Sequence, residues 1–263
     1  MKQRISFNKF IAVLALAVLT VVACFAFSAC GVKAESITLS EETVVLDSGA
    51  TQELVCTLQP ENATVKVEIS DKSVVKYEND TLTALTAGTA TVKVVSTVDE
   101  SVYAECAVTV KLPEGYSQYT SEDCKFAYPS SWSKYSATGA IVAYRNNDSG
   151  SANVNLVSEK KNNAYFRASA ETFKNAIKNS LSSAYSINFT NCTVDKTTYA
   201  GYERVHVVYD YTISMGAISN TLHQEQMILH SGDKTFVLTV TFTTSVYNET
   251  QASTIFSEFA GLK

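Results

Sequence analysis

The stretch Leu82-Thr83-Ala84-Leu85-Thr86-Ala87-Gly88-Thr89-Ala90-Thr91-Val92-Lys93-Val94 reads as two short strands around a glycine turn. Apolar and polar residues alternate on either side of Ala87-Gly88, the period of a strand with one buried face. The same grammar continues outward. Upstream, Ile37-Thr38-Leu39 and Val44-Val45-Leu46 precede the turn Asp47-Ser48-Gly49, where Gly is free to take positive φ. Leu54-Val55-Cys56-Thr57-Leu58 alternates and stops at Pro60, and Val65-Lys66-Val67-Glu68-Ile69 alternates again. Downstream, Glu105–Val110 closes the series. No window has helical spacing. About seven short strands in about 78 residues predict an all-β sandwich over 35–112. Its expected core face is Leu54, Cys56, Leu58, Val65, Val67, Ile69, Val92, Val94, Val108 and Val110.

The order Asp47-Ser48-Gly49, Pro60-Glu61-Asn62-Ala63-Thr64, Ser73-Val74-Val75 and Leu82–Val92 resembles the group 2 bacterial immunoglobulin-like domain (BIG2). The Thr-Ala-Leu-x-x-Gly-Thr-Ala-x-Val string carries most of that resemblance. Ile69 departs from it, since the family usually has Trp there. The resemblance implies a spacer or adhesion module on a bacterial surface and no catalysis.

After a linker at 113–118 the pattern changes. Cys124–Pro129, Ile141–Tyr144 and Val154–Val157 read as strands. Phe173, Ala176, Ile177 and Leu181 fall at helical spacing, with Ser169 as N-cap. Strands resume at Arg204–Ile213, Leu222–His230 and Phe236–Phe242, the last two joined by Ser231-Gly232-Asp233. A final helix starts near Asn248, presents Ile255, Phe256 and Phe259 on one face and stops at Gly261. Residues 119–263 are therefore expected to form an α+β domain, an antiparallel sheet with two main helices. Phe126-x-Tyr128-Pro129-x-x-Trp132, the Asn153–Leu156 strand, the helix Ala170–Leu181, Ala200-Gly201-Tyr202 and Phe236–Phe242 resemble the PsbP-like family, which includes the DcrB-type lipoproteins. That resemblance implies an accessory protein docking onto a larger assembly, with no catalytic motif. Both halves are long enough to hold a core, so each is expected to fold alone.

The chain opens with the apolar run Phe10–Ala29, preceded by Lys2, Arg4 and Lys9 and by no acid. That is the charge layout of an export signal. Phe27-Ser28-Ala29-Cys30-Gly31 resembles a bacterial lipobox, with Phe27 in place of the usual Leu. It implies cleavage after residue 29, acylation of Cys30 and a short tether at 30–34. Val21-Val22-Ala23-Cys24 competes but leads into more apolar sequence. An uncleaved signal anchor is the other reading, since 20 apolar residues can just span a bilayer. Either reading puts the rest of the chain outside the cytoplasmic membrane, with the membrane itself as first partner. Removing 1–29 takes away three bases and no acid, so the net charge goes from −5 to about −8. An acidic chain without a basic cluster excludes a nucleic-acid partner, and 46% hydrophobic with 18% charged residues excludes a disordered one. Four cysteines remain, two in each half, which outside the cytoplasm permits the disulfides Cys56–Cys106 and Cys124–Cys192.

Signals of chemistry are few. There is no phosphate-binding glycine loop, His-Glu-x-x-His, Cys-x-x-Cys or Gly-x-Ser-x-Gly. No cofactor and no enzyme activity are expected. His206 and Asp210 share one strand face, as do His223 and Glu225 on the next strand. Such a set can be a polar stripe on a sheet or a His/carboxylate metal site. The many Tyr and Phe residues of the second half can pack a core or line a groove for sugar or peptide. The expectation is a lipid-anchored, non-enzymatic binding, adhesion or assembly module at the cell surface, with a protein or envelope partner. The alternative is an envelope enzyme or metal-dependent protein built on His206, Asp210, His223 and Glu225.

Overall fold

The computed structural model describes residues 31–147, 151–180 and 185–263. The export signal and Cys30 lie outside them. Among the described residues no helix is long and apolar enough to cross a membrane.

The chain forms two compact units whose limits do not follow the 113–118 linker. The first gathers the residues up to Ser40 with Val55–Glu68 and Lys93–Glu105. Here strand β1 (Ser36–Leu39) precedes β2 (Thr43–Asp47) and β3 (Thr51–Glu53) of the other unit. β1 pairs antiparallel with β4 (Cys56–Gln59), from Ser36↔Gln59 to Leu39↔Cys56. Thr64 Oγ1 lies 2.8 Å from Thr97 Oγ1, and Thr64 N–H donates to Val32 O. Around them run exposed ion pairs, Lys66 with Glu68 and Glu100, and Lys33 with Asp99.

The second unit comprises Glu41–Leu54, Ile69–Val92 and Cys106–Lys263. In chain order the remaining strands of the immunoglobulin-like segment are β5 (Val65–Ile69), in the first unit but for Ile69, β6 (Val75–Glu78) and β7 (Thr81–Ala84) in the second, and β8 (Gly88–Ser96) and β9 (Tyr103–Lys111), each with residues in both. β2 runs parallel to β9 from Thr43↔Ala107 to Asp47↔Lys111. β3, β7 and β6 make a second, antiparallel sheet. Val44, Leu46, Leu54, Val75, Leu82, Val92, Val108 and Val110 are buried, as the alternation requires. Of the rest of the expected core face, Cys56, Leu58, Val65 and Ile69 are half-buried and Val67 is 44% exposed.

The rest of this unit is the expected α+β arrangement. Strands β10 (Tyr116–Thr120) and β11 (Cys124–Pro129) form one small sheet with the last strand, β19 (Ala260–Gly261). Between them in sequence lie β12 (Ser133–Lys134), β13 (Val142–Arg145), β14 (Ala152–Lys160), helix α1 (Ala170–Ser180), β15 (Ser186–Tyr199), β16 (Tyr202–Met215), β17 (Ile218–Ser231), β18 (Lys234–Thr243) and helix α2 (Glu249–Ser257). The large sheet has seven antiparallel strands in the order β12-β13-β14-β18-β17-β16-β15. One face packs Leu156, Met227, Leu229, Leu238, Val240 and Phe242 against Phe126 of the small sheet and Ile255, Phe256 and Phe259 near the C-terminus. The other packs Val205, Val207, Tyr209, Tyr211 and Ile228 against Phe173 of α1. Strand alternation sends neighbouring residues such as Ile228 and Leu229 into opposite cores.

Both helices start as expected. Ser169 Oγ accepts from Thr172 N–H at 3.3 Å, and Asn248 Oδ1 from Gln251 N–H at 2.9 Å. α2 ends at Ser257 rather than at Gly261. The residues beyond it leave the helix so that Gly261 and Ala260 can pair with Cys124 and Lys125.

The two expected disulfides are absent, since Cys106, Cys124 and Cys192 are thiols. Cys124 is buried in the core on one face of the large sheet and Cys192 packs on the other, so the sheet itself separates them. Cys192 Sγ points to Ala170 O at 3.5 Å. Cys106 is fully buried in β9, and Cys56 sits in β4 opposite Leu39. Burial pushes the Cys124 thiol up to about 11, an inert state.

Candidate functional site

The register of the central hairpin puts Asp210 opposite His223, Val208 opposite Glu225 and His206 opposite Met227. With period-2 alternation, all four residues singled out in the sequence then share one face. The structure brings them together as a line rather than around a point. His206 Nε2 lies 2.7 Å from Glu225 Oε2, Glu225 Oε1 is 3.1 Å from His223 Nε2, and His223 Nδ1 is 2.7 Å from Asp210 Oδ1. Asn191 on β15 donates to the other oxygen of Asp210 at 3.2 Å.

The protonation states follow from the partners. Both ring nitrogens of His223 face carboxylates, which only accept, so both must carry hydrogen. Burial alone would lower its pKa, but the bonds to Glu225 and Asp210 win and raise it. Burial of Glu225 works the other way, and the bonds from His206 and His223 overcome it, holding the carboxyl down at about 2. Glu225 is 6% exposed, so an imidazolium–carboxylate pair is held largely out of water. Tyr247, just before α2, closes the line. Its hydroxyl donates to Glu225 Oε1 at 3.2 Å and its ring lies on His223 with centroids 3.8 Å apart. Burial and the Glu225 charge push the Tyr247 phenol up to about 12.

Beside this line runs an open groove of about 570 Å³, with Tyr199, Arg204, His206, Glu225, Tyr247 and Ser257 in its walls. Arg204 had no signal in the sequence beyond being a charged residue on a strand. It is 3% exposed, and its guanidinium donates to the carbonyls of Phe256 and Phe259 at the end of α2. Tyr199 lies over it at 4.6 Å, and burial lowers the Arg204 pKa to about 10. The cation thus satisfies carbonyls left over where α2 stops.

Chemically, the arrangement holds a charge pair and offers a mixed aromatic and polar groove. Both ring nitrogens of His223 and one of His206 are bonded to the carboxylates of Asp210 and Glu225. Among the described residues, no group of three or more His, Cys, Asp and Glu has the geometry to hold a metal ion. The third histidine, His230, is elsewhere: it accepts or donates at Thr235 Oγ1, 2.9 Å away, under the ring of Phe166.

Residues 33–108 match the bacterial Ig-like domain (group 2) family. No curated protein matches the chain. Among solved structures, the cyanobacterial PsbP (CyanoP) of Synechocystis sp. PCC 6803 is similar at 13% identity, over 57% of this chain and 94% of that one, with a TM-score of 0.40. A protein from Bacteroides thetaiotaomicron is similar at 13% identity, over 57% of this chain and 49% of the other, with a TM-score of 0.29. Domains 4–9 of the surface layer protein SbsC are similar at 17% identity, over 74% of this chain and 31% of that one, with a TM-score of 0.24. The chain carries a group 2 bacterial immunoglobulin-like domain at its N-terminal side, followed by an α+β domain.

Proposed function

We propose that this chain is a lipid-anchored surface protein, acylated at Cys30, whose α+β domain binds a protein or cell-envelope partner without transforming it. One observation carries the reading: the bacterial immunoglobulin-like match begins at residue 33, directly after the apolar run and Ser28-Ala29-Cys30-Gly31. Domains of this kind serve as binding or adhesion modules at surfaces. The groove beside α2 is the proposed recognition surface. It combines aromatic walls with a fixed charge pair, the mixture that gives orientation and affinity in binding sites. The non-enzymatic part of the proposal is supported by the site's own bonding. The carboxylates of Glu225 and Asp210 occupy both ring nitrogens of His223 and one of His206, so no activated nucleophile is poised there.

The test is affinity capture from envelope membranes with the full chain, run beside Glu225→Gln and Tyr247→Phe. A partner retained by the wild type and lost from both variants supports the reading. Capture indifferent to both substitutions contradicts it. So does turnover of envelope material that Zn²⁺ stimulates, the outcome the His/carboxylate metal reading requires.

A further inference from the structure

We propose that Tyr199, Lys125 and Glu258 form a docking site for peptide backbone, filled in this chain by its own Leu85–Ala87 turn. All of these residues lie in the second compact unit. The turn comes from the immunoglobulin-like segment and the three side chains from the α+β domain.

The contacts are made to main-chain atoms only. Tyr199 Oη donates to Leu85 O at 2.8 Å. Lys125 Nζ donates to Ala87 O at 2.7 Å, and Ala87 N–H donates to Glu258 Oε2 at 2.7 Å. The polarity is matched: the cation takes the carbonyl and the anion takes the amide. Lys125 is 5% exposed and Glu258 0%. Lysine and glutamate are almost never buried so deeply without a partner for the charge. Here the two charges lie beside each other and each hydrogen-bonds to Ala87. The two come side by side because Lys125 pairs with Ala260 across β11 and β19, two residues after Glu258.

The turn is shaped for this site. Thr86 Oγ1 donates to Ser73 O at 2.7 Å and Leu85 N–H to Val74 O at 2.8 Å, which fixes the loop from behind. Gly88 has φ of 152°, and a Cβ there would stand 2.8 Å from Val74 Cγ2 and 3.2 Å from Lys125 Nζ. The bare glycine therefore lets the lysine reach the backbone. Glu258 Oε1 has no hydrogen-bond partner, so the carboxylate's hydrogen bond goes to the Ala87 amide, beside the Lys125 charge. The consequence is that the two halves of the sequence are not independent beads. Release of the turn would leave buried Lys125 Nζ and Glu258 Oε2 without their hydrogen bonds to Ala87.

Hydrogen exchange of the Ala87 amide, followed by NMR in the full chain, tests this. Leu238 and Val240 in the central strand β18 serve as the global reference. Lys125→Met and Glu258→Gln should each speed Ala87 exchange by about tenfold or more and leave Leu238 and Val240 unchanged. Tyr199→Phe removes one hydroxyl and keeps the ring over Arg204, so it keeps the question open to test if a charge variant does not fold. It should speed Ala87 exchange severalfold by loosening Leu85. Unchanged Ala87 exchange in the folded variants overturns the proposal. So does an equal acceleration at Ala87, Leu238 and Val240, which is general destabilisation rather than release of a docked turn.

Discussion

Glu225 holds the central hairpin's polar face together, because it accepts from His206, His223 and Tyr247 at once. Replacing it with Gln leaves the His223 imidazolium beside Asp210 alone. That should cost roughly 2–3 kcal/mol, as removal of one partner of a buried pair does, and lower the urea midpoint accordingly. The pH dependence has a definite sign. His223 binds its proton more tightly folded than at its ordinary 6.5, so its contribution is complete below 6.5 and fades as the pH rises through the raised value. Glu225 contributes fully above 4.5, and that share fades as the pH falls towards about 2. The cluster should therefore stabilise most between about 4.5 and 6.5. Urea unfolding across pH should show His223→Gln losing stability chiefly in that window, with the difference from wild type narrowing on the alkaline side. A constant difference at all pH values would mean that His223 acts through packing alone. The thiols are a separate check at this scale. Alkylation of the denatured protein without reductant should label Cys106, Cys124 and Cys192, and mass spectrometry would show any that resists.

Among the elements, the ones with an uninterrupted period were legible in the sequence. Arg204–Ile213, Leu222–His230 and Phe236–Phe242 lie inside β16, β17 and β18, and the Ser231–Asp233 turn joins the last two. β15 was not legible. Its apolar residues fall at Ile187 and Phe189 and then at Cys192 and Val194, so the alternation changes phase midway. The structure supplies the cause, a register shift between Phe189 and Asn191 that inserts one residue into the strand. Arg204 stayed invisible for another reason. Its role depends on where α2 ends, and the pairing of Ala260 and Gly261 with β11 sets that end. The four residues His206, Asp210, His223 and Glu225 were legible as a shared face, since alternation alone places them. Their joining into a line depends on the β16–β17 register, which the sequence did not specify. The start of α2 offers a clean test. Asn248→Ala removes the acceptor for Gln251 N–H and should cost about 1 kcal/mol in thermal unfolding. No change would mean that packing of Ile255 and Phe256 alone sets the helix start.

At the scale of the molecule, a sequence feature leads directly into a domain match. The apolar run and Cys30 lead into an immunoglobulin-like domain, and the α+β domain with the His/carboxylate line and its groove follows. The C-terminus is tied in by Asp123, which bonds Lys234 and Lys263 at 2.6 Å each, so the chain beyond α2 is part of the domain rather than a tail. Binding at a surface requires that the chain be held there, and one acyl chain gives only marginal membrane affinity while two or more hold it stably. The central claim is therefore tested most directly by mass spectrometry of the N-terminal peptide of the protein recovered from membranes. The account predicts a mature chain that begins at Cys30 and carries a diacylglyceryl group on its sulfur, and a Cys30→Ala chain with no lipid. An intact Met1, or lipid on Cys24, would contradict it.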